Sequence, residues 1–79
     1  MTNLEKYNTA FMETFDITEE QLNSDLVYQS VEAWDSVGHM QLIAALEDAF
    51  DIMFDTDDIV DFSSYDKGKE FMTKYEVEL

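Results

Sequence analysis

The chain contains no cysteine and no proline, and it has only two glycines, Gly38 and Gly68. Without cysteine there is no disulfide framework, no thiolate metal site and no thiol nucleophile. Without proline, and with so little glycine, the usual punctuation of turns and hairpins is missing, which favours helices throughout. Basic residues are almost as scarce: 4 Lys and Arg stand against 19 Asp and Glu, for a formal net charge of −15. No basic patch exists to replace phosphate counterions, so nucleic acid is excluded as a partner. An anionic membrane surface would repel the chain. No stretch approaches the roughly 20 apolar residues of a membrane span, and Met1 to Ala10 has neither the basic start nor the apolar run of a secretory signal. The expectation is a cytoplasmic protein that does not insert into membranes.

What is present suits one small core. A chain of 79 residues makes a single domain, here 1–79, and 46% of its residues are hydrophobic, with six Phe, four Tyr and one Trp. A chain this short has little stability to spare, so packed apolar side chains must supply it. A monomer is expected. The strong negative field favours encounters with basic partner surfaces.

Periodicity places the elements. Leu4, Tyr7, Phe11 and Phe15 form one stripe of a helix from about Asn3 to Phe15. Thr18-Glu19-Glu20-Gln21 has the form of a capping box and predicts a short helical turn reaching Leu22. From Asn23 to Trp34 the period is lost, yet Leu26, Val27, Tyr28, Val31 and Trp34 are apolar. This reads as a long loop packed down on the core, and long ordered loops in small domains are often functional. Asp35 or Ser36 then caps a second helix running to about Phe50. A short third helix spans Asp55 to Phe62, and a last one, capped by Ser63 or Ser64, runs from Tyr65 to about Tyr75. The fold class is all-α, a small four-helix bundle of three longer helices and one short helix with a long first loop.

The second helix carries two faces. Leu42, Ile43, Leu46, Ala49 and Phe50 gather on one side, which is the expected core face. Val37, Met40 and Ala44 fall on roughly the opposite side, with Gln41, Glu47 and Asp48 beside them. An ordinary surface helix needs only one apolar face. A helix buried all round would also show two, but carboxylates at Glu47 and Asp48 would be costly to bury unpaired. An acid-edged apolar strip suits a partner that is apolar and ringed with Lys or Arg. Ser36, at the start of this helix, sits where free N–H groups and the helix dipole favour a phosphate, although most serines in such places are simple caps.

Catalytic constellations are absent from the sequence. His39 is the single histidine, without partners for a metal or acid–base site, and it reads as a partly exposed residue near Ser36. Asp55-Thr56-Asp57-Asp58 invites a calcium loop, but Val60 stands where the loop needs Gly and Asp66 where it needs Glu. No metal site and no enzyme is expected. Lys67, Lys69 and Lys74 fall in the last helix, where they suit its dipole and balance local acid.

The run Asp35-Ser36-Val37-Gly38-His39-Met40-Gln41-Leu42-Ile43-Ala44-Ala45-Leu46-Glu47-Asp48-Ala49-Phe50-Asp51-Ile52 resembles the attachment helix of acyl carrier proteins. The length, acidity, long first loop and short third helix extend the likeness over essentially the whole chain. The resemblance implies a 4′-phosphopantetheine arm from coenzyme A on Ser36, placed there by a phosphopantetheinyl transferase, with Asp35 helping to orient the site. It implies acyl cargo held as a thioester on the arm's thiol, which agrees with the lack of cysteine. Val37, Met40, Gln41, Ala44, Glu47 and Asp48 would then meet acyl-loading and acyl-transfer enzymes that bear basic docking patches. Val37 stands where Leu is usual, Gln41 where a recognition Glu is common, and Gly38-His39 replaces a more acidic and polar pair. Trp34 replaces a small residue. These departures point to a carrier dedicated to one pathway (polyketide, lipid or surface glycan) rather than the housekeeping fatty acid carrier. The stretch from Ser36 to Leu42 also resembles D-alanyl carriers. A noncovalent acidic interaction module on the same fold is the remaining alternative.

Overall fold

A computed structural model describes residues 2–79; Met1, which opens the stretch read for a targeting signal, lies outside the described residues. Among the described residues four α-helices follow one another, α1 (Asn3–Phe15), α2 (Ser36–Phe50), α3 (Thr56–Asp61) and α4 (Tyr65–Lys74), with a 3₁₀ turn at Glu19–Gln21 in the first loop. None is long and apolar enough to cross a membrane. The all-α architecture follows the periodicity, and α1 and α2 have the expected limits.

Caps explain why the helices begin and end where they do. The Thr2 hydroxyl accepts from the Glu5 N–H at 3.1 Å, and the Glu5 carboxylate accepts from the Thr2 N–H at 3.4 Å, a reciprocal box that satisfies two orphan donors. At Glu19–Gln21 the Gln21 side chain likewise accepts from the Thr18 N–H at 3.1 Å. Asp16 and Asp51 end α1 and α2 in the left-handed region, at φ 54° and 52°. Aspartate tolerates this conformation better than most residues. Ser64 starts α4 by accepting from the Lys67 N–H at 2.9 Å.

The core is aromatic. Tyr7, Phe11 and Phe15 of α1 are buried with Trp34, Leu42, Ile43, Leu46, Phe54, Phe62, Tyr65 and Met72. Fully burying one such side chain contributes about 1.5–3 kcal/mol. Phe11 meets Trp34, Phe62 and Tyr65 with ring centroids 5.2–6.2 Å apart. The Tyr7 hydroxyl donates to the Tyr65 carbonyl at 2.6 Å. Burial pushes the Tyr7 phenol far above its usual range, with Tyr65 and Asp66 adding to the effect.

Two expected core positions lie elsewhere. Leu4, in the first turn of α1 beyond the packed stripe of Tyr7, Phe11 and Phe15, is 38% exposed; the neighbouring Asn3 amide donates to the Glu78 carbonyl of the C-terminal tail at 2.9 Å. Ala49 is also exposed. It lines an open groove between α1 and α2 with Ala45, Ala10 and Thr9, where side chains this short do not reach across to the facing helix.

The long loop is packed down as expected. Leu26 and Trp34 are buried and Val31 is half-buried, whereas Val27 and Tyr28 stay exposed; two backbone bonds tie the loop to the junction of α3 and α4: Tyr28 N–H to Ser63 carbonyl at 2.8 Å and Tyr65 N–H to Leu26 carbonyl at 2.9 Å. The chain then folds back on itself, with the Gln29 N–H donating to the Trp34 carbonyl at 3.0 Å.

Both glycines serve close approach. A Cβ at Gly38 would collide with the Ala33 carbonyl oxygen, and one at Gly68 with the Tyr7 hydroxyl and the Phe62 ring. The loop thus lies directly against the first turn of α2. Ala is intrinsically the better helix former, but Gly38→Ala must push two backbones apart. It is expected to destabilise the protein by about 1–3 kcal/mol, the usual cost of overpacking, in a denaturant titration. An unchanged or raised midpoint would contradict the packing described.

A buried carboxylate locks α3 to the end of α4. Asp58 is 6% exposed and accepts from the Lys74 ammonium at 2.7 and 2.9 Å and from the Tyr75 hydroxyl at 2.5 Å. The same Tyr75 oxygen accepts from the Asp55 N–H at 2.8 Å. The bonds from Lys74 and then Tyr75 hold the Asp58 carboxyl below the usual carboxylate range, against its burial. A carboxyl whose folded pKa is depressed stabilises the fold above its unfolded pKa and loses that contribution as pH falls through the folded one. Wild type is therefore expected to melt higher than Asp58→Asn at neutral pH. The gap should close in acid, below the ordinary Asp range, and a gap independent of pH would refute the pairing.

Candidate functional site

Three segments converge at the start of α2. Asp35, not Ser36, is the cap: its carboxylate accepts from the Gly38 N–H at 2.8 Å, and its carbonyl from the His39 N–H at 2.8 Å. Ser36 is thereby released from the capping role. It occupies the first helical position with an exposed side chain. The helix start leaves further backbone donors pointing outwards beside it, at the positive end of the α2 dipole.

Beside Ser36 runs a groove of about 390 Å³ between α2 and α3, lined by Tyr28, His39, Met40, Ile59, Val60 and Phe62, with Ser36 and Ser63 at its polar margin. Ser36, His39 and Met40 reach it together because residues three and four apart share a helix face. Tyr28 enters from the loop and Ile59, Val60 and Phe62 from α3 and the residue after it. These four were not expected at the site. The i, i+3, i+4 spacing from Ser36 was legible, but the pairing of that face with α3 depends on the tertiary fold.

The groove opens onto an exposed apolar strip. Val37 is 65% and Met40 54% exposed on α2, and Val60 75% exposed on α3. Ala44, Gln41 and Asp48 are exposed along the same helix. The expected second face of α2 is therefore at the surface. Glu47 differs from the other docking candidates: it is half-buried, and its carboxylate accepts from the Phe54 N–H at 2.9 Å. The left-handed turn at Asp51 brings the chain back under the helix and makes this bond. No Lys or Arg occurs between residues 7 and 66, so α2, α3 and the loop before them contribute only negative charge to this side.

His39 is no catalytic base for Ser36. Its Nδ1 accepts from the Trp34 indole N–H at 3.0 Å, and its Nε2 lies 2.7 Å from the Ile59 carbonyl oxygen. Both ring nitrogens are engaged, neither with the serine. Nor is the Asp55–Asp58 stretch free to gather a cation, since Asp58 is held by Lys74 and Tyr75. Among the described residues no cluster of three or more His, Cys, Asp or Glu side chains is placed to hold a metal.

Compared with protein-family models, with curated proteins and with solved structures, the chain matches none of them.

The two acids of α2 are expected to separate in a stability measurement. Glu47→Ala leaves the Phe54 N–H without its acceptor and should cost about 1–3 kcal/mol. Asp48→Ala, on the open surface, should stay within roughly 0.5 kcal/mol of wild type. Equal effects would mean that the Glu47 bond contributes nothing to the fold.

Proposed function

We propose that this protein is an acyl carrier whose Ser36 hydroxyl takes a 4′-phosphopantetheine arm from coenzyme A. The observation that carries the reading is an exposed serine, freed from capping by Asp35, at the start of a helix and on the rim of an apolar groove. The site fits the group it would receive. Backbone donors and the helix dipole favour a phosphate at this point, and the groove offers apolar shelter next to it. Ser36 Oγ would give up its proton and form the new bond to phosphorus, while the pyrophosphate bond of coenzyme A breaks and adenosine 3′,5′-bisphosphate leaves. When attached, the arm supplies the thiol that the chain itself lacks, and it holds an acyl group as a thioester.

The chain's own contribution is then recognition. Val37, Met40 and Ala44, continued by Val60, offer an apolar strip, and Asp48 with the acids of α3 surrounds it with negative charge. A transferase or acyl-transfer enzyme with an apolar patch ringed by Lys or Arg matches it in both respects. Glu47 acts mainly by holding the α2–α3 turn in place. Loading from coenzyme A suits a cytoplasmic protein serving one dedicated biosynthetic pathway, with aminoacyl cargo of the D-alanyl type included. The protein carries no catalytic step of its own.

Incubation with coenzyme A and a broad-specificity phosphopantetheinyl transferase is expected to raise the intact mass by one phosphopantetheine. Ser36→Ala should fold, since Asp35 caps the helix, and should show no gain. A well-folded wild type that gains no mass would favour the noncovalent interaction module, whose apolar strip would be the same.

A further inference from the structure

His39 joins three segments through one imidazole. Indole nitrogen can only donate, so the bond from Trp34 requires a lone pair on Nδ1, and the proton therefore sits on Nε2, which donates to the Ile59 carbonyl. Ile59 lies in the last turn of α3, where carbonyls lack an intrahelical partner. The relay thus fastens the loop to α2 and α2 to α3, directly behind the groove that begins at Ser36.

The ring is packed as well as bonded. Trp34 lies nearly parallel to it at 6.3 Å, and Tyr28 and Phe62 meet it edge-on at 5.7 and 6.1 Å. Behind Phe62 come Phe11, Phe54 and Phe71, at 6.0–6.2 Å. A connected set of stiff rings thus lies beneath the groove, beside the aliphatic Leu42, Ile43 and Leu46 of α2. A long alkyl chain entering from the groove between α2 and α3 would meet the His39–Ile59 bond and the Phe62 ring. The groove itself, at about 390 Å³, lies near the small end of the roughly 300–1,000 Å³ usual for ligand pockets.

We propose that the Trp34–His39–Ile59 relay is a crossbar that closes the interior to cargo, so that this carrier holds short acyl groups in the surface groove and excludes long alkyl chains. The inference rests on the carrier reading and assigns His39 as a positioning residue that sets cargo length.

The test loads the full chain with acetyl-, butyryl-, octanoyl- and palmitoyl-phosphopantetheine, using a transferase that accepts acyl-coenzyme A. Each product is verified by intact mass. The readouts are the thermal midpoint and the NMR signal of the Trp34 indole N–H. In wild type the midpoint should rise no further beyond the butyryl form, and the indole signal should stay in place with every cargo. In His39→Ala the octanoyl and palmitoyl forms should melt several degrees above the short-chain forms. His39→Gln, which keeps a donor and an acceptor, should restore the wild-type pattern. A palmitoyl wild type that melts well above the butyryl form, with the indole signal shifted, would overturn the proposal. That comparison needs no variant, so it decides the matter even if His39→Ala does not fold. Absence of any mass gain appears before a midpoint is measured and would instead sink the carrier reading, taking this inference with it.

Discussion

Trp34 goes into the core one residue before the chain turns into α2, and much of the molecule is arranged around that burial. Its ring stacks on Phe15 at 5.0 Å and meets Phe11 at 5.7 Å, while its indole N–H reaches His39. A buried tryptophan needs a partner for its N–H, and His39 provides one by accepting at Nδ1 while its Nε2–H donates to the Ile59 carbonyl. The anchored tryptophan brings Ala33 against Gly38, where only hydrogen fits. It also fixes Asp35 as the cap, and the cap leaves Ser36 outside. The exposure of one serine thus follows from the burial of its second neighbour.

Charge is distributed in keeping with this arrangement. The four basic residues are Lys6, Lys67, Lys69 and Lys74, so they lie in α1 and α4. Lys74 is tied to Asp58, and Lys69 sits over the Tyr65 ring at 4.6 Å. The side formed by α2 and α3 has acids and no cation of its own to neutralise them. A net charge of −15 costs the compact state some self-repulsion. The aromatic core and the Asp58 lock offset that repulsion, and the apolar strip on α2 stays available within a uniformly negative surround.

Much of the fold was legible because it rests on local rules. The limits of α1 and α2 follow from apolar spacing and caps, and the loop from Asn23 to Trp34 declared its contact with the core through apolar residues out of period. The exposed strip of Val37, Met40 and Ala44 was legible for the same reason. What was hidden depended on distant segments meeting. Spacing alone left Asp35 and Ser36 equal as caps, and the carboxylate–Gly38 bond decides between them. Glu47 reads as a surface acid until the turn at Asp51 brings Phe54 beneath it. His39 reads as a loose neighbour of Ser36 until Trp34 and Ile59 arrive from either side. Ala49 has the right phase for the core, but its methyl is too short to close the groove against α1.

We propose that Ser36, alone among the serines, receives the arm. The chain contains Ser24, Ser30, Ser36, Ser63 and Ser64, of which Ser36 and Ser63 border the groove and Ser64 caps α4. Fragmentation mass spectrometry of the protein isolated from the cells that make it would locate any modification among them. The account predicts a phosphopantetheine on the fragment containing Ser36 and on no other. An unmodified Ser36 fragment, or an arm found at Ser63 or Ser64, would contradict it.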